Sequence, residues 1–177
     1  MGAINFFPKA KLVIGILISR ENLLSSLLYQ LEDRYGQADY KSEPIPFTFT
    51  AYYNNEMGTP ITRLFLSYKT LIDPPTLAHI KRETNNIEDS YTEQGSRKIN
   101  LDPGMMFLSR FILASTKDGI QRVPMEKGIY GEITMLYQKK TFRPLEWTFP
   151  DYRDQQYINI LNSIRELYKK QLMNEKK

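Results

Sequence analysis

The order of apolar periods along this chain predicts an α+β fold, with a mixed or mainly antiparallel sheet and a helix near the C-terminal end. Three segments repeat their apolar residues at the helical spacing of three and four. Between them lie stretches of β-branched and aromatic residues at strand spacing. With 177 residues, 41% hydrophobic and 25% charged, the chain can close one core and is too apolar to stay unfolded. No repeat, low-complexity block or long linker divides it, so residues 1–177 are read as a single domain.

The first element is KLVIGILIS (residues 11–19), apolar on both faces and therefore a central strand covered from both sides. Ser19 is the expected N-cap of a helix whose face is Leu23, Leu24, Leu27, Leu28, Leu31 and Tyr35, ended by Gly36. Phe47, Phe49, Ala51 and Tyr53 then alternate with Thr48, Thr50 and Tyr52, a strand running into the polar loop Asn54-Asn55-Glu56 before Gly58. ITRLFLSYKTLI (residues 61–72) is the next strand. A second helix opens at Asp73-Pro74, a capping carboxylate followed by proline at the first helical position. Its face is Leu77, Ile80, Thr84, Ile87 and Tyr91, and Gly95 closes it.

In KINLDPG (residues 98–104) a strand is expected to end in a Pro-Gly reversal, Pro103 presetting the first central position and Gly104 taking the second. Asp102 would accept backbone N–H bonds inside that turn. Strands follow at SRFILAST (109–116), at IYGEITMLYQ (129–138) and around Thr141 to Leu145. A third helix covers Asp151 to Leu172, with Tyr157, Leu161, Ile164, Tyr168 and Leu172 on one stripe. The opening succession of strand, helix, strand, strand, helix, strand is the split βαβ pattern of ferredoxin-like folds.

Composition removes several chemistries. Without cysteine there is no disulfide, thiol nucleophile or thiolate metal site, a usage suited to the reducing cytoplasm. The apolar run Leu12 to Ile18 is too short to span a bilayer and lacks a cleavage site, and Phe6 stands where myristoylation of Gly2 needs Ser or Thr. A soluble, cytoplasmic protein with no membrane partner is expected. The net charge of +4 resides mostly in Arg165, Lys169, Lys170, Lys176 and Lys177, leaving 19 basic and 18 acidic side chains before Arg165. Basic residues near a helix C-terminus meet the negative end of its dipole, which accounts for the excess without nucleic acid. No GxxxxGK[ST] or GxGxxG occurs, and STKDG (115–119) has no phosphate loop to accompany it. His79, the sole histidine, falls on a helix surface or boundary, with no second histidine and no Gly-x-Ser-x-Gly elbow.

The polar candidates cluster near strand ends. Glu56, Asp102 and Glu132 are the carboxylates able to act as acid, base or cation ligand. Asn100, two residues before Asp102, shares its strand face. Lys117 and Asp118 follow the FILA strand directly, and Arg122 comes shortly after. Tyr130, Glu132 and Thr134 share one face of their strand, with Ile129, Gly131, Ile133 and Met135 on the other; Glu132 is either solvated or inside a cleft. Asn100, Lys117, Asp118, Arg122 and Tyr130 are thus the candidate ligand contacts. No spacing motif demands a metal, and no cofactor is identified.

The ordered set KLVIGIL, IPFTFTAYYNNEMG, RLFLSYKTLI, IKRETNNIE, RKINLDPG, ILASTKDG, GIYGEITMLY and WTFPDYR resembles a bacterial family described as domain of unknown function 4416, over roughly Lys11 to Leu172. The resemblance implies one cytosolic domain. It also implies recurring polar residues at Tyr53, Glu56, Asn85, Asn100, Asp102, Lys117, Asp118, Arg122, Tyr130, Glu132 and Asp151. Gln121-Arg122 departs from the His-Arg that relatives tend to have. Three roles are consistent with these residues. The first is a small-ligand protein or enzyme, with Lys117 and Arg122 holding an anionic ligand. The second is an RNA or nucleotide module stacking bases on Tyr52, Tyr53 and Tyr68. The third is a non-catalytic scaffold or oligomer.

Overall fold

Strand β1 (Ala10–Ile18) is the axis of the computed structural model, which describes residues 2–174. All of its residues are buried, as a strand apolar on both faces requires. The chain continues through α1 (Leu24–Tyr35), β2 (Ala38–Lys41), β3 (Ile45–Pro46), the single turn α2 (Asn54–Met57), β4 (Thr62–Ile72) and α3 (Leu77–Ser90). A small hairpin, β5 (Thr92–Glu93) and β6 (Ser96–Arg97), leads to β7 (Ile99–Met106). Then come β8 (Arg110–Ser115), β9 (Arg122–Pro124), β10 (Tyr130–Gln138), β11 (Thr141–Pro144) and α4 (Gln155–Asn174).

The main sheet runs β11-β10-β8-β7-β1-β4-β2, with β3 on β4 and β9 on β10. Every pairing in it is antiparallel, so the sheet is not mixed. Helices α1 and α3 cover one face. Leu27, Leu31, Ile80 and Ile87 pack there on Leu12, Ile14, Ile16 and Leu101. Helix α4 covers the other, placing Tyr157, Leu161 and Ile164 against Val13, Phe65, Met106 and Phe111. Each fully buried aliphatic side chain contributes about 1.5–3 kcal/mol, which is why the helical stripes persist despite polar outer faces. Among the described residues no helix is long and apolar enough to cross a membrane.

Several expectations need correction. Ser19 does not cap α1; its hydroxyl donates to Met57 O at 2.6 Å, and a 3-10 turn at Glu21–Leu23 starts the helix instead. Asp73 likewise makes no side-chain cap, its carboxylate being paired with Lys9 at 3.0 Å. Gly95 does not close α3, which ends at Ser90; it takes the left-handed conformation (φ 78°) in the turn of the β5-β6 hairpin. The alternation over Phe47 to Tyr53 is not a strand. Its rings fold the loop inward instead, with Phe47 against Tyr53 (6.0 Å) and Phe49 against Tyr157 (5.7 Å). Strands β2 and β9 occupy stretches the sequence left unassigned. Glu175, Lys176 and Lys177 lie outside the described residues. Arg165 sits mid-helix, its guanidinium 3.5 Å from the Tyr137 ring centroid, so it is no partner of the helix end.

The largest correction concerns KINLDPG. Pro103 and Gly104 stand inside β7, opposite Ile14 and Val13 of β1, and there is no reversal. The local turn signal loses to tertiary contacts that suit both residues. β8 pairs with β7 only over Gly104–Met106, so the two strands fork below that point. On the open edge the Leu101 N–H donates to Glu88 Oε1 (2.8 Å) and the Leu101 carbonyl accepts from Lys81 Nζ (2.7 Å), both from α3. Backbone N–H groups alternate sides along a strand, so residue 103 presents its nitrogen to the same open edge, where proline forfeits no ladder bond. Gly104 is required by close approach, since a Cβ there would lie 2.7 Å from the Phe111 ring and 2.8 Å from Ile112 O.

Candidate functional site

The fork between β7 and β8 opens into a cavity of about 740 Å³, a size that takes a small molecule. Its walls come from the loop after β3, the end of β8, β9, β10, the segment before α4, and α3 seen through the gap. Residues paired across the sheet share a face, and this places the polar lining. Asn100 is opposite Leu17, Asp102 opposite Gly15, and Arg63 opposite Leu17 from the other side. Glu132 is opposite both Leu113 and Arg122.

Arg63 is the buried hub, its side chain 3% exposed. It donates to Asp102 Oδ2 at 2.8 Å and Asp151 Oδ2 at 3.0 Å, with the rings of Phe47, Phe65 and Tyr152 within 5.9 Å of its guanidinium carbon. Gly15 makes the room, because a Cβ there would stand 2.8 Å from Arg63 Nη1. Asn100 Nδ2 donates to the other Asp102 oxygen at 2.9 Å. Burial alone would raise Asp102, but the Arg63 and Lys81 charges and these hydrogen bonds outweigh it and hold its carboxyl below the usual range. Asp151 goes the other way. Burial raises it, the Asp102 charge adds to that, and Arg63, already shared, offsets only part.

A second cluster surrounds Arg97, which grips Glu56 with two hydrogen bonds (2.6 and 2.9 Å) and donates to Glu88 (2.7 Å) and Asn100 (3.2 Å). The hydrogen bond from Arg97 lowers the Glu56 carboxyl. Burial raises that of Glu88, offset only in part by Lys81, the Leu101 N–H and Arg97. The third cluster is Arg122, whose Nε donates to Glu132 Oε2 (2.8 Å) and whose Nη1 donates to the Lys117 carbonyl (2.8 Å). Gln121 Nε2 adds a bond to the same Glu132 oxygen at 3.1 Å. Glu132 is 1% exposed, so its strand face is the cleft side. A register shift between Ile133 and Met135 then turns Met135 into the core too, against the simple alternation expected.

Five cations and five carboxylates line the cavity, and four of the cations face a carboxylate. Lys117 is the exception among the described residues: its Nζ meets the Tyr52 hydroxyl at 3.2 Å and lies 4.9 Å from that ring centroid, at the exposed mouth. Three buried atoms of lining residues, Arg63 Nε, Glu132 Oε1 and the Tyr152 hydroxyl, take part in no hydrogen bond among the described residues. Burial keeps the Tyr152 phenol protonated far past its ordinary range.

The family described as domain of unknown function (DUF4416) matches residues 8–168. The chain belongs to that family. No curated protein and no solved structure matches it. Of the polar positions the resemblance implied, all but Glu56, Asp118 and Tyr130 line the cavity of this DUF4416 chain. Glu56 reaches the site only through Arg97. Asp118 is exposed and accepts the Gly119 N–H at 2.7 Å, a turn carboxylate. Tyr130 is half-buried on β10, opposite Ser115 and Pro124, outside the lining. His79 is exposed and pairs with Glu83 at 2.9 Å, away from the site. Tyr68, a proposed stacking platform, is fully buried under the α1 side and unavailable to a base. Among the described residues no three His, Cys, Asp or Glu side chains gather to hold a metal.

Sequence reasoning missed Arg63, Lys81, Glu88 and Arg97. Three of them carried a signal. Arg63 shares the strand face of Phe65, and Lys81 and Glu88 sit three before and four after Thr84, on the buried stripe of α3. A charge on an otherwise apolar periodic face is a buried charge in need of partners.

Proposed function

We propose that this chain is a small-ligand-binding protein whose ligand is an anion held at the mouth of the fork by Lys117 and Arg122. The observation that carries this role is Lys117, the one lining cation without a carboxylate among the described residues, set beside an open cavity. Arg122 supports it: Nε and Nη1 are engaged with Glu132 and Lys117 O, while Nη2 makes no hydrogen bond among the described residues and is available to an anion. The exposed faces of Tyr52 and Phe149 beside these cations favour a ligand with a flat ring. Glu56 and Asp102 are poor choices for proton transfer near neutrality, because arginines hold both ionised. They are better described as the frame that fixes Arg97 and Arg63.

Phenyl phosphate titrated calorimetrically at low ionic strength is expected to bind, and Lys117→Ala to weaken it about tenfold or more, since a charge-assisted contact is worth about 1.5–3 kcal/mol. Trp147, the sole tryptophan and near neighbour of Phe149, should report the same event by fluorescence. Absence of binding at millimolar probe, or equal affinity in Lys117→Ala, overturns the role.

A further inference from the structure

Glu132 presents a feature that an anion at the mouth does not use. Its carboxylate is buried within the cavity lining, with Oε2 taking both available donors, Arg122 and Gln121, and Oε1 accepting nothing among the described residues. Its backbone is paired with Leu113 on one side and Arg122 on the other, and the two donors on Oε2 hold the carboxylate in place. A buried acceptor of this kind is a standing desolvation cost that an incoming donor removes.

Building on the ligand-binding role, we propose that Glu132 is the specificity determinant: Oε1 accepts a hydrogen bond from an N–H of the ligand, so the ligand class is aromatic anions carrying an amino or amide donor away from the anionic group. A neutral donor fits better than a second cation, because the charge of Glu132 is already met by Arg122 at 2.8 Å. One guanidinium serves both ends: Arg122 donates to the Glu132 carboxylate through Nε, while its Nη2 makes no hydrogen bond among the described residues and is available to the anion. Beside the two cations, the rings of Tyr52 (65% exposed) and Phe149 (43% exposed) offer flat surfaces.

The test compares para-aminophenyl phosphate with phenyl phosphate by calorimetry on the full chain. Wild type is expected to favour the amino compound by about tenfold, the value of one hydrogen bond to a buried charged acceptor. In Glu132→Gln the preference should vanish or invert. Arg122 can only donate, so the amide oxygen must face it, which leaves the NH2 towards the cavity to meet another donor. Should that variant lose its fold, Glu132→Asp withdraws the carboxylate by one methylene while keeping its charge, and the preference should again fall. Equal binding of both compounds by wild type, with both weakened in Lys117→Ala, overturns the donor requirement and leaves the anion site standing. A preference that survives in a folded Glu132 variant removes Glu132 as its cause. Failure of both compounds to bind removes the ligand-binding role itself.

Discussion

Replacing Arg63 with methionine tests the energetic centre of the fold. Methionine keeps much of the aliphatic volume among Phe47, Phe65 and Tyr152 but strips the charge from two carboxylates. Asp151, 9% exposed, is left without its cation; Asp102, 26% exposed, keeps Asn100 and some hydration, so its share is smaller. Removing one partner of a buried ion pair costs about 3–5 kcal/mol, against a total stability of about 5–15 kcal/mol. For a chain of this size that lowers the melting temperature by roughly 6–20 °C. Denaturant unfolding at neutral pH measures the cost directly. Adding Asp102→Asn and Asp151→Asn to Arg63→Met should restore at least about half of it, because the buried charges are then gone. The pH dependence has a fixed sign. In wild type the depressed Asp102 carboxyl contributes stability above its unfolded value, and this is lost as pH falls through the folded one. In Arg63→Met the largest charge opposing burial is gone and both carboxyls rise, so the deficit should shrink on acidification. A loss below about 1 kcal/mol would mean that these pairs behave like surface ion pairs, and the hub has been misjudged.

Two further outcomes follow from the packing. Gly104→Ala pushes a methyl into the Phe111 ring and the Ile112 carbonyl, and should destabilise by about 1–3 kcal/mol with a lower melting temperature; an unchanged midpoint would show that β7 and β8 can separate there without cost. Burial pushes Tyr35, Tyr53 and Tyr157 up to about 12, and Tyr68 and Tyr152 are raised as well. Stability from these phenols is present below the ordinary value of 10.0 and lost as pH rises through the folded values. Phenolate absorbance should therefore rise in two stages, the second coinciding with alkaline unfolding; a single transition near the ordinary value would contradict the burial.

The α1, α3 and α4 stripes and the doubly covered β1 were legible because their burial follows a local period, three to four residues for helices and an unbroken apolar run for the strand. Glu56, Asp118 and Tyr130 show the limit of reading polar residues near strand ends. Nothing local tells a turn carboxylate such as Asp118 from a lining one such as Asp102. KINLDPG shows the same limit for structure. A Pro-Gly pair suits a reversal or an open strand edge equally well, and the choice was made by α3, whose Lys81 and Glu88 occupy the gap left by β8.

Residue order by itself determined the α+β class, the helical faces and the absence of thiol chemistry, since each depends on composition or on neighbours a few positions apart. Only the tertiary structure decided that Arg63, Asp102, Glu132 and Asp151, up to 88 positions apart along the chain, line one cavity. Convergence of that kind is fixed by strand order and register, and no local period of the sequence encodes either.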